Sequence, residues 1–218
     1  SYIMGNLKYD HLAAALDKGK AEPSVEEAVK LIESGATPIQ IFSECIEPVL
    51  EEVGKKFTRL EIFLPEMVLS AAAVKAVQKA LIPYLKDDEK NTTKGKIVLA
   101  TVTGDLHDIG KNIVKAMLEV SGFDIKDLGV DVSMMNIVKE AKDYNADIIA
   151  LSALMVPSLP FIKDTIELSK TGKNVDYDFK IMIGGGPVTE EWADKHGAAY
   201  GNDASDAVTV AKTLRNID

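Results

Sequence analysis

Between Tyr9 and Tyr84 the apolar residues recur at helical spacing. Leu12 to Leu16 predicts a short helix. Ser24-Val25-Glu26-Glu27, after Pro23 and ahead of Ala28, Val29, Leu31 and Ile32, reads as a capping box that opens a second helix, and Gly35 closes it. Thr37-Pro38 pairs an N-cap with a proline at the first helical position. From there Ile39, Ile41, Phe42, Cys45, Ile46, Val49, Leu50 and Val53 form one broad stripe to Gly54, with a bend expected at Pro48. Ile62-Phe63-Leu64-Pro65 leads into a long helix through Met67, Ala71, Val74, Val77, Leu81 and Leu85. Four helices with short joints predict a small antiparallel bundle over residues 1–90.

Residues 86–95 are charged and polar without apolar periodicity and read as a linker. The pattern beyond them is different. Strands are expected at 96–102, 124–128, 147–151, 179–183 and 198–200, and helices at 109–120, 133–144, 158–170, 189–196 and 205–214. Asp147-Ile148-Ile149-Ala150-Leu151 is apolar enough for a sheet centre. Five β/α units predict an α/β domain over residues 91–218, a flavodoxin-like or Rossmann-like doubly wound, parallel, five-stranded sheet.

A net charge of −9 over 218 residues argues against a phosphate-binding surface and so against nucleic acid as the main partner. Cys45 is the only cysteine, which excludes a disulfide framework and a thiolate metal site and leaves a small core residue. No stretch has the length of an apolar membrane span, and the first residues lack a leader pattern. A cytoplasmic location with no membrane partner is the expectation.

In a parallel sheet the turns after the first, third and fourth strands emerge at one edge, where open α/β sheets bind ligands. The first turn is Gly104-Asp105-Leu106-His107-Asp108-Ile109-Gly110. An imidazole there is a good cobalt, iron or zinc ligand, and Asp105 is spaced to hold its second nitrogen. A solvated loop pair is the plain alternative. The second turn offers Ser152 and Ser158 among Leu154, Met155 and Val156, suited to orienting a large apolar ligand, although Ser158 also suits a helix N-cap. The third, Gly184-Gly185-Gly186, admits close backbone approach or is simply a tight turn. Neither a phosphate-loop ending nor G-x-G-x-x-G is present. His11 and His196 are expected in solvent, Trp192 partly buried, and Met134-Met135 packed at a helix start.

Taken together, D-x-H-x-x-G at 105–110, S-x-L at 152–154 and G-G at 184–185 resemble the cobalamin-binding domain of methionine synthase and its relatives. Phe57, Phe63-Leu64-Pro65-Glu66-Met67 and Ser70-Ala71-Ala72 resemble that family's helical cap. The whole resembles a stand-alone corrinoid protein of a methyltransferase system. The resemblance implies that His107 binds the cobalt of cobalamin from below in place of the cofactor's own base, with Asp105 and Ser158 completing a ligand triad. It implies that Ser152, Leu154, Val156, Gly184 and Gly185 line a channel for the displaced tail, which Ala204 closes. Gly104, Leu106, Asp108, Ile109, Gly110 and Gly186 fall on the same cofactor-binding turns. Phe57, Leu64 and Met67 would cover the methyl-bearing upper face.

The implied activity is methyl carriage between Co(I) and methyl-Co(III). The implied partners are a substrate-specific methyltransferase, an acceptor methyltransferase using tetrahydrofolate or a thiol, and a reductive activation protein. Gly186-Pro187 and Gly197-Ala198-Ala199-Tyr200 depart from the family pattern without touching the triad. The rival readings are a cobalamin-dependent light or ligand sensor, against which stands the absence of a basic recognition helix in residues 1–20, and an adenosyl-dependent isomerase subunit.

Overall fold

A computed structural model of the chain describes residues 7–86 and 93–217. The chain divides into two compact units between Thr92 and Thr93. Residues 87–92 of the expected linker lie outside the described residues.

The first unit is helical: α1 (Asp10–Asp17), α2 (Ala21–Glu33), α3 (Pro38–Ile41), α4 (Glu47–Thr58) and α5 (Leu64–Leu81). Thr37 caps α3 as its sequence predicts, Oγ1 accepting from Gln40 N at 3.2 Å while Gln40 Oε1 accepts from Thr37 N at 3.0 Å. The α2 start differs from expectation. Helix α2 begins three residues before Ser24, because Pro23 is tolerated within a first turn that lacks partners for its N–H groups. Ser24 is therefore helical and buried, its hydroxyl donating back to Lys20 O at 2.6 Å.

The stripe expected to end at Gly54 continues to Thr58. Its bend is a π-helical turn at Phe42–Ile46, where Glu47 N donates to Phe42 O. Pro48, lacking an N–H, follows immediately, so the ladder changes register just ahead of it. Leu12, Leu16, Ile41, Cys45, Val49, Val53, Met67, Val74 and Val77 are buried. Burial raises the Cys45 thiol to about 12, which leaves it unreactive.

The second unit alternates β1 (Lys96–Thr101), α6 (Ile109–Val120), β2 (Asp124–Asp127), α7 (Met134–Asp143), β3 (Ile148–Ser152), α8 (Leu159–Ser169), β4 (Lys180–Gly184), α9 (Glu190–Lys195), β5 (Ala199–Tyr200) and α10 (Ala204–Leu214). All strand pairs are parallel, in the order β2-β1-β3-β4-β5, with Leu99 beside Ala150 and Ala150 beside Met182. The apolar β3 is the central strand, as its composition predicts.

Alternation along each strand feeds two cores. Val98, Ala100, Ile149, Leu151, Ile181 and Ile183 pack with Ile137 of α7, Ile162 of α8 and Ala193 of α9. Ile97, Leu99, Ile148, Ala150 and Met182 pack with Leu118 of α6 and Ala207 and Ala211 of α10. The strand order reverses between β1 and β3, and their following loops diverge there to leave a crevice.

Two surface expectations are corrected. Met134 and Met135 are exposed, because Ser133 caps α7 and directs its first turn outward, and only from Ile137 does the helix face the sheet. His196 is half-buried instead of solvated; it stacks on Trp192 at 4.1 Å between ring centres and shares a 2.8 Å hydrogen bond between Nδ1 and Trp192 O. No helix among the described residues is long and apolar enough to cross a membrane.

Candidate functional site

β1 ends in a turn in which Asp105 N donates to Val102 O at 3.1 Å. Gly104 takes φ +82°, with open space where a Cβ would stand, so glycine serves here for its left-handed backbone. The turn carries Asp105 inward until it is fully buried. Its Oδ1 accepts from His107 N at 3.0 Å and meets His107 Nδ1 at 2.6 Å, while Oδ2 accepts from Leu154 N at 2.6 Å.

Burial by itself would raise the Asp105 carboxyl. The Leu154 N–H, the His107 ring and the His107 N–H outweigh it and hold the carboxyl below its ordinary range. An ionised carboxylate only accepts, so the ring proton sits on Nδ1 and the Nε2 lone pair is left for another acid. The His107 side chain is 52% exposed, so that lone pair is reachable.

Thr101, at the end of β1, holds the same turn from the other side. Its hydroxyl donates to His107 O at 3.0 Å and lies 2.9 Å from Ser152 Oγ. Since Thr101 has spent its one proton, Ser152 is the donor in that second bond.

Beside His107 a cavity of about 230 Å³ runs between the sheet, α6 and α10. Leu99, Ile113, Val114, Ala150, Leu154 and Met182 give it apolar walls. Glycines open its far side. A Cβ on Gly185, at φ +119°, would fall 1.8 Å from Ala153 O, and one on Gly184 would fall 3.0 Å from Gly201 O. The void exceeds the ~150 Å³ apolar cavity known to take up benzene, so a planar aromatic group fits.

Of the residues singled out in the sequence, His107, Gly110, Ser152, Leu154, Gly184, Gly185 and Ala204 line this cavity. Leu106 and Ile109 are exposed and outside the lining, and Asp108 is an N-cap without a side-chain capping bond. Val156 lies outside the lining at 68% exposure, because the chain turns into a short 3₁₀ segment at Val156–Ser158. Gly186 is exposed and also outside it. Ser158 is buried, but among the described residues no hydrogen bond joins its hydroxyl to Asp105 or His107. Oδ2 of Asp105 is taken by Leu154 N instead. In the helical unit Phe57 and Leu64 are half-buried and Met67 is buried.

Sequence reasoning missed Thr101, whose position as the last residue of β1 was the available signal. It also missed Lys111, which lines the cavity while its buried Nζ bonds both Asp127 oxygens at 2.8 and 2.7 Å and Asn112 Oδ1 at 2.9 Å. Asn202, Asp203 and Ala207 at the far end gave no sequence signal.

A doubly wound sheet with a carboxylate-held imidazole beside an apolar slot at its switch point defines a cofactor-carrying module. Two family models match, each described as a B12 binding domain, over residues 8–82 and 95–209. A dimethylamine corrinoid protein of Methanosarcina acetivorans is 41% identical over 95% of this chain and 91% of its own length. The methanol:cobalamin methyltransferase complex of Methanosarcina barkeri superposes with a TM-score of 0.82 at 26% identity, over 97% of this chain and 80% of the other. A cobalamin-binding protein of Desulfitobacterium hafniense gives 0.65 at 32% identity, over 93% and 96%. The chain belongs to the B12-binding family of corrinoid proteins. A corrinoid is its cofactor, and the residues suit one: among the described residues no cluster of three metal-binding side chains surrounds His107 to complete a bare metal site, and the apolar slot beside it has room for an aromatic group.

Proposed function

We propose that this chain carries methyl groups on a bound corrinoid, taking them from a methylated amine through a partner methyltransferase and passing them to a thiol or tetrahydrofolate through a second one. The observation that carries the reading is the 2.6 Å bond between His107 Nδ1 and buried Asp105, at the mouth of the apolar slot. When bound, the corrinoid would supply a redox-active cobalt centre able to take up a methyl group and release it again.

The chain's own residues do the rest. His107 offers Nε2 as the lower cobalt ligand; Asp105 fixes the tautomer and makes the ring a stronger donor. Thr101 and Ser152 hold the backbone on which the ring sits. Leu154, Met182, Gly184, Gly185 and Ala204 exclude water from the cofactor tail. Ser158, buried in the loop beyond Leu154, is the residue proposed to complete the set with Asp105. Phe57, Leu64 and Met67 of the helical unit are the residues proposed to shield the upper face. A methylated amine as donor follows the relative named for dimethylamine. The reading requires a donor methyltransferase, an acceptor methyltransferase and a reductive activator as partners.

The test is reconstitution with hydroxocobalamin under reducing conditions, removal of free cofactor, and visible spectra of wild type and His107→Ala. Retention of about one corrinoid per chain, with a spectrum that changes in the variant, is the expected result. Identical spectra would remove His107 from the cobalt, and methyl carriage without it would need another basis.

A further inference from the structure

The loop between β2 and α7, Leu128 to Ser133, belongs to none of the turns that carry the cofactor-binding motifs, yet it grips the His107 turn at its root. Asp131 sits there in the left-handed region at φ +53°. From that conformation its side chain and backbone bracket the Gly104–Asp105 pair, one bond at each end. Asp131 N donates to Asp105 O at 2.9 Å, and Asp131 Oδ1 accepts from Gly104 N at 2.8 Å. The loop is itself anchored: Gly129 N donates to Asp127 Oδ1 at 2.9 Å, Thr101 N donates to Gly129 O at 2.9 Å, and Val132 N donates to Thr101 O at 3.1 Å. Lys111 Nζ holds Asp127 in turn.

Among the described residues no hydrogen bond joins Asp131 to His107, and Asp131 is absent from the cavity lining. It acts on the imidazole through the Gly104–Asp105 backbone, alongside the neighbouring tie of Val132 N to Thr101 O, whose hydroxyl holds His107 O. Gly104 is the freest residue of that turn, with a positive φ and no side chain, so the turn needs an external tie to keep one orientation. A rotation about Gly104 would swing the Asp105 carboxylate, and two of the bonds that fix His107, to its N and its Nδ1, run to that carboxylate.

We propose that Asp131 is a positioning residue for the lower cobalt ligand, a strap that sets how firmly His107 presents Nε2. The proposal rests on the reading of His107 as that ligand. The strap is an acceptor function and not a charge effect, so Asn at 131, which keeps the oxygen and tolerates the left-handed backbone, should replace Asp. Gly keeps the backbone and drops the oxygen. Glu keeps the charge and moves the carboxylate one methylene away from Gly104 N.

The holo-protein is prepared with cobalamin and ¹⁵N-histidine as wild type, Asp131→Gly, Asp131→Asn and Asp131→Glu. Electron paramagnetic resonance of the Co(II) form reads the axial nitrogen as a doublet when it comes from labelled histidine and as a triplet when it comes from the cofactor's own base. The Co(II)/Co(I) midpoint is measured on the same samples at an electrode. Histidine ligates Co(II) and not Co(I), so weaker presentation moves the midpoint positive, by about 59 mV for each factor of ten in ligand affinity.

Loss of the Gly104 N–H bond predicts roughly a three- to tenfold weakening in Asp131→Gly, a shift in the same direction in Asp131→Glu, and a wild-type midpoint in Asp131→Asn. A wild-type midpoint in Asp131→Gly with its doublet intact overturns the strap while leaving the His107 reading in place. An equal shift in Asp131→Asn overturns it in favour of charge. A triplet in wild type overturns both, and is recognised by that signal.

Discussion

Asp105 Oδ2 and the Leu154 amide nitrogen are 2.6 Å apart, so one buried carboxylate ties the loop after β1 to the loop after β3. These loops flank the switch point of the sheet. The same carboxylate, through its other oxygen, sets the ring of His107. Imidazole orientation and the joining of the two loops therefore meet at a single residue.

Replacing Asp105 by Ala leaves the partly buried amides of Leu154 and His107 without their acceptor. An unsatisfied buried donor costs about 1–3 kcal/mol, so the apo-protein is expected to lose at least about 2 kcal/mol in urea unfolding. Asp105→Asn keeps the volume but cannot accept on both oxygens, and should fall between Ala and wild type. A loss below about 0.5 kcal/mol in Asp105→Ala would show that the loops are held by other contacts.

The depressed Asp105 carboxyl also predicts a pH dependence. In the unfolded chain an aspartate titrates near about 3.9. In the folded chain burial pushes upward, but three hydrogen bonds pull further down. The unfolded state then binds more protons in the window between the two values, so stability rises with pH across it. The contribution is fully present above about pH 4 and is lost as pH falls through the folded value. The difference in unfolding free energy between wild type and Asp105→Asn should shrink on acidification below about pH 4; a difference that is flat or grows there contradicts the assignment.

Gly185→Ala combines a positive φ with a Cβ 1.8 Å from Ala153 O, a backbone atom that cannot turn aside. The left-handed backbone alone costs roughly 1–2 kcal/mol for an L-residue, and relieving the clash adds to it. A loss above about 2 kcal/mol is expected, together with weaker cobalamin retention, because Gly185 lines the slot. Gly104→Ala meets only the backbone cost, having open space around it, and should be the milder of the two in parallel denaturation curves.

Lys111→Met leaves Asp127 without its cation in a mostly buried position. Removing one partner of a buried pair costs about 3–5 kcal/mol, while replacing both with apolar residues recovers much of it. Lys111→Met with Asp127→Leu is expected to be more stable than Lys111→Met alone, although Gly129 N then loses its acceptor and limits the recovery. Additive losses in the double variant would mean the pair is not energetically coupled.

The architecture was legible because each strand of the second unit is a short apolar run and each helix has its own stripe, so period alone separated them. Asp147–Leu151 even located the sheet centre. The start of α2 was misplaced because Ser24 satisfies a capping pattern that a proline one residue earlier permits to lie inside the first turn. At the site, D-x-H located the imidazole and the carboxylate, since both partners lie within one turn. Thr101, Lys111 and Asp131 carry no such mark: each acts across strands or loops, and its partner is fixed by sheet register and not by spacing. Val156 was expected in the lining and the 3₁₀ turn carries it out, a local backbone choice to which hydrophobicity is blind.

The slot beside His107 is walled by residues from Leu99 on β1 to Ala207 on α10, with contributions from β3 and β4 between them. No shorter piece of the domain possesses it. A chain emerging from the ribosome cannot complete this slot until its final helix has docked, and parallel pairings of this kind form late. Loading therefore follows folding, and the cofactor, recognising the finished domain alone, acts as a mass-action brace that drains the unfolded population. Corrinoid supply would thus govern how much of the protein survives in a cell as well as how much of it is active.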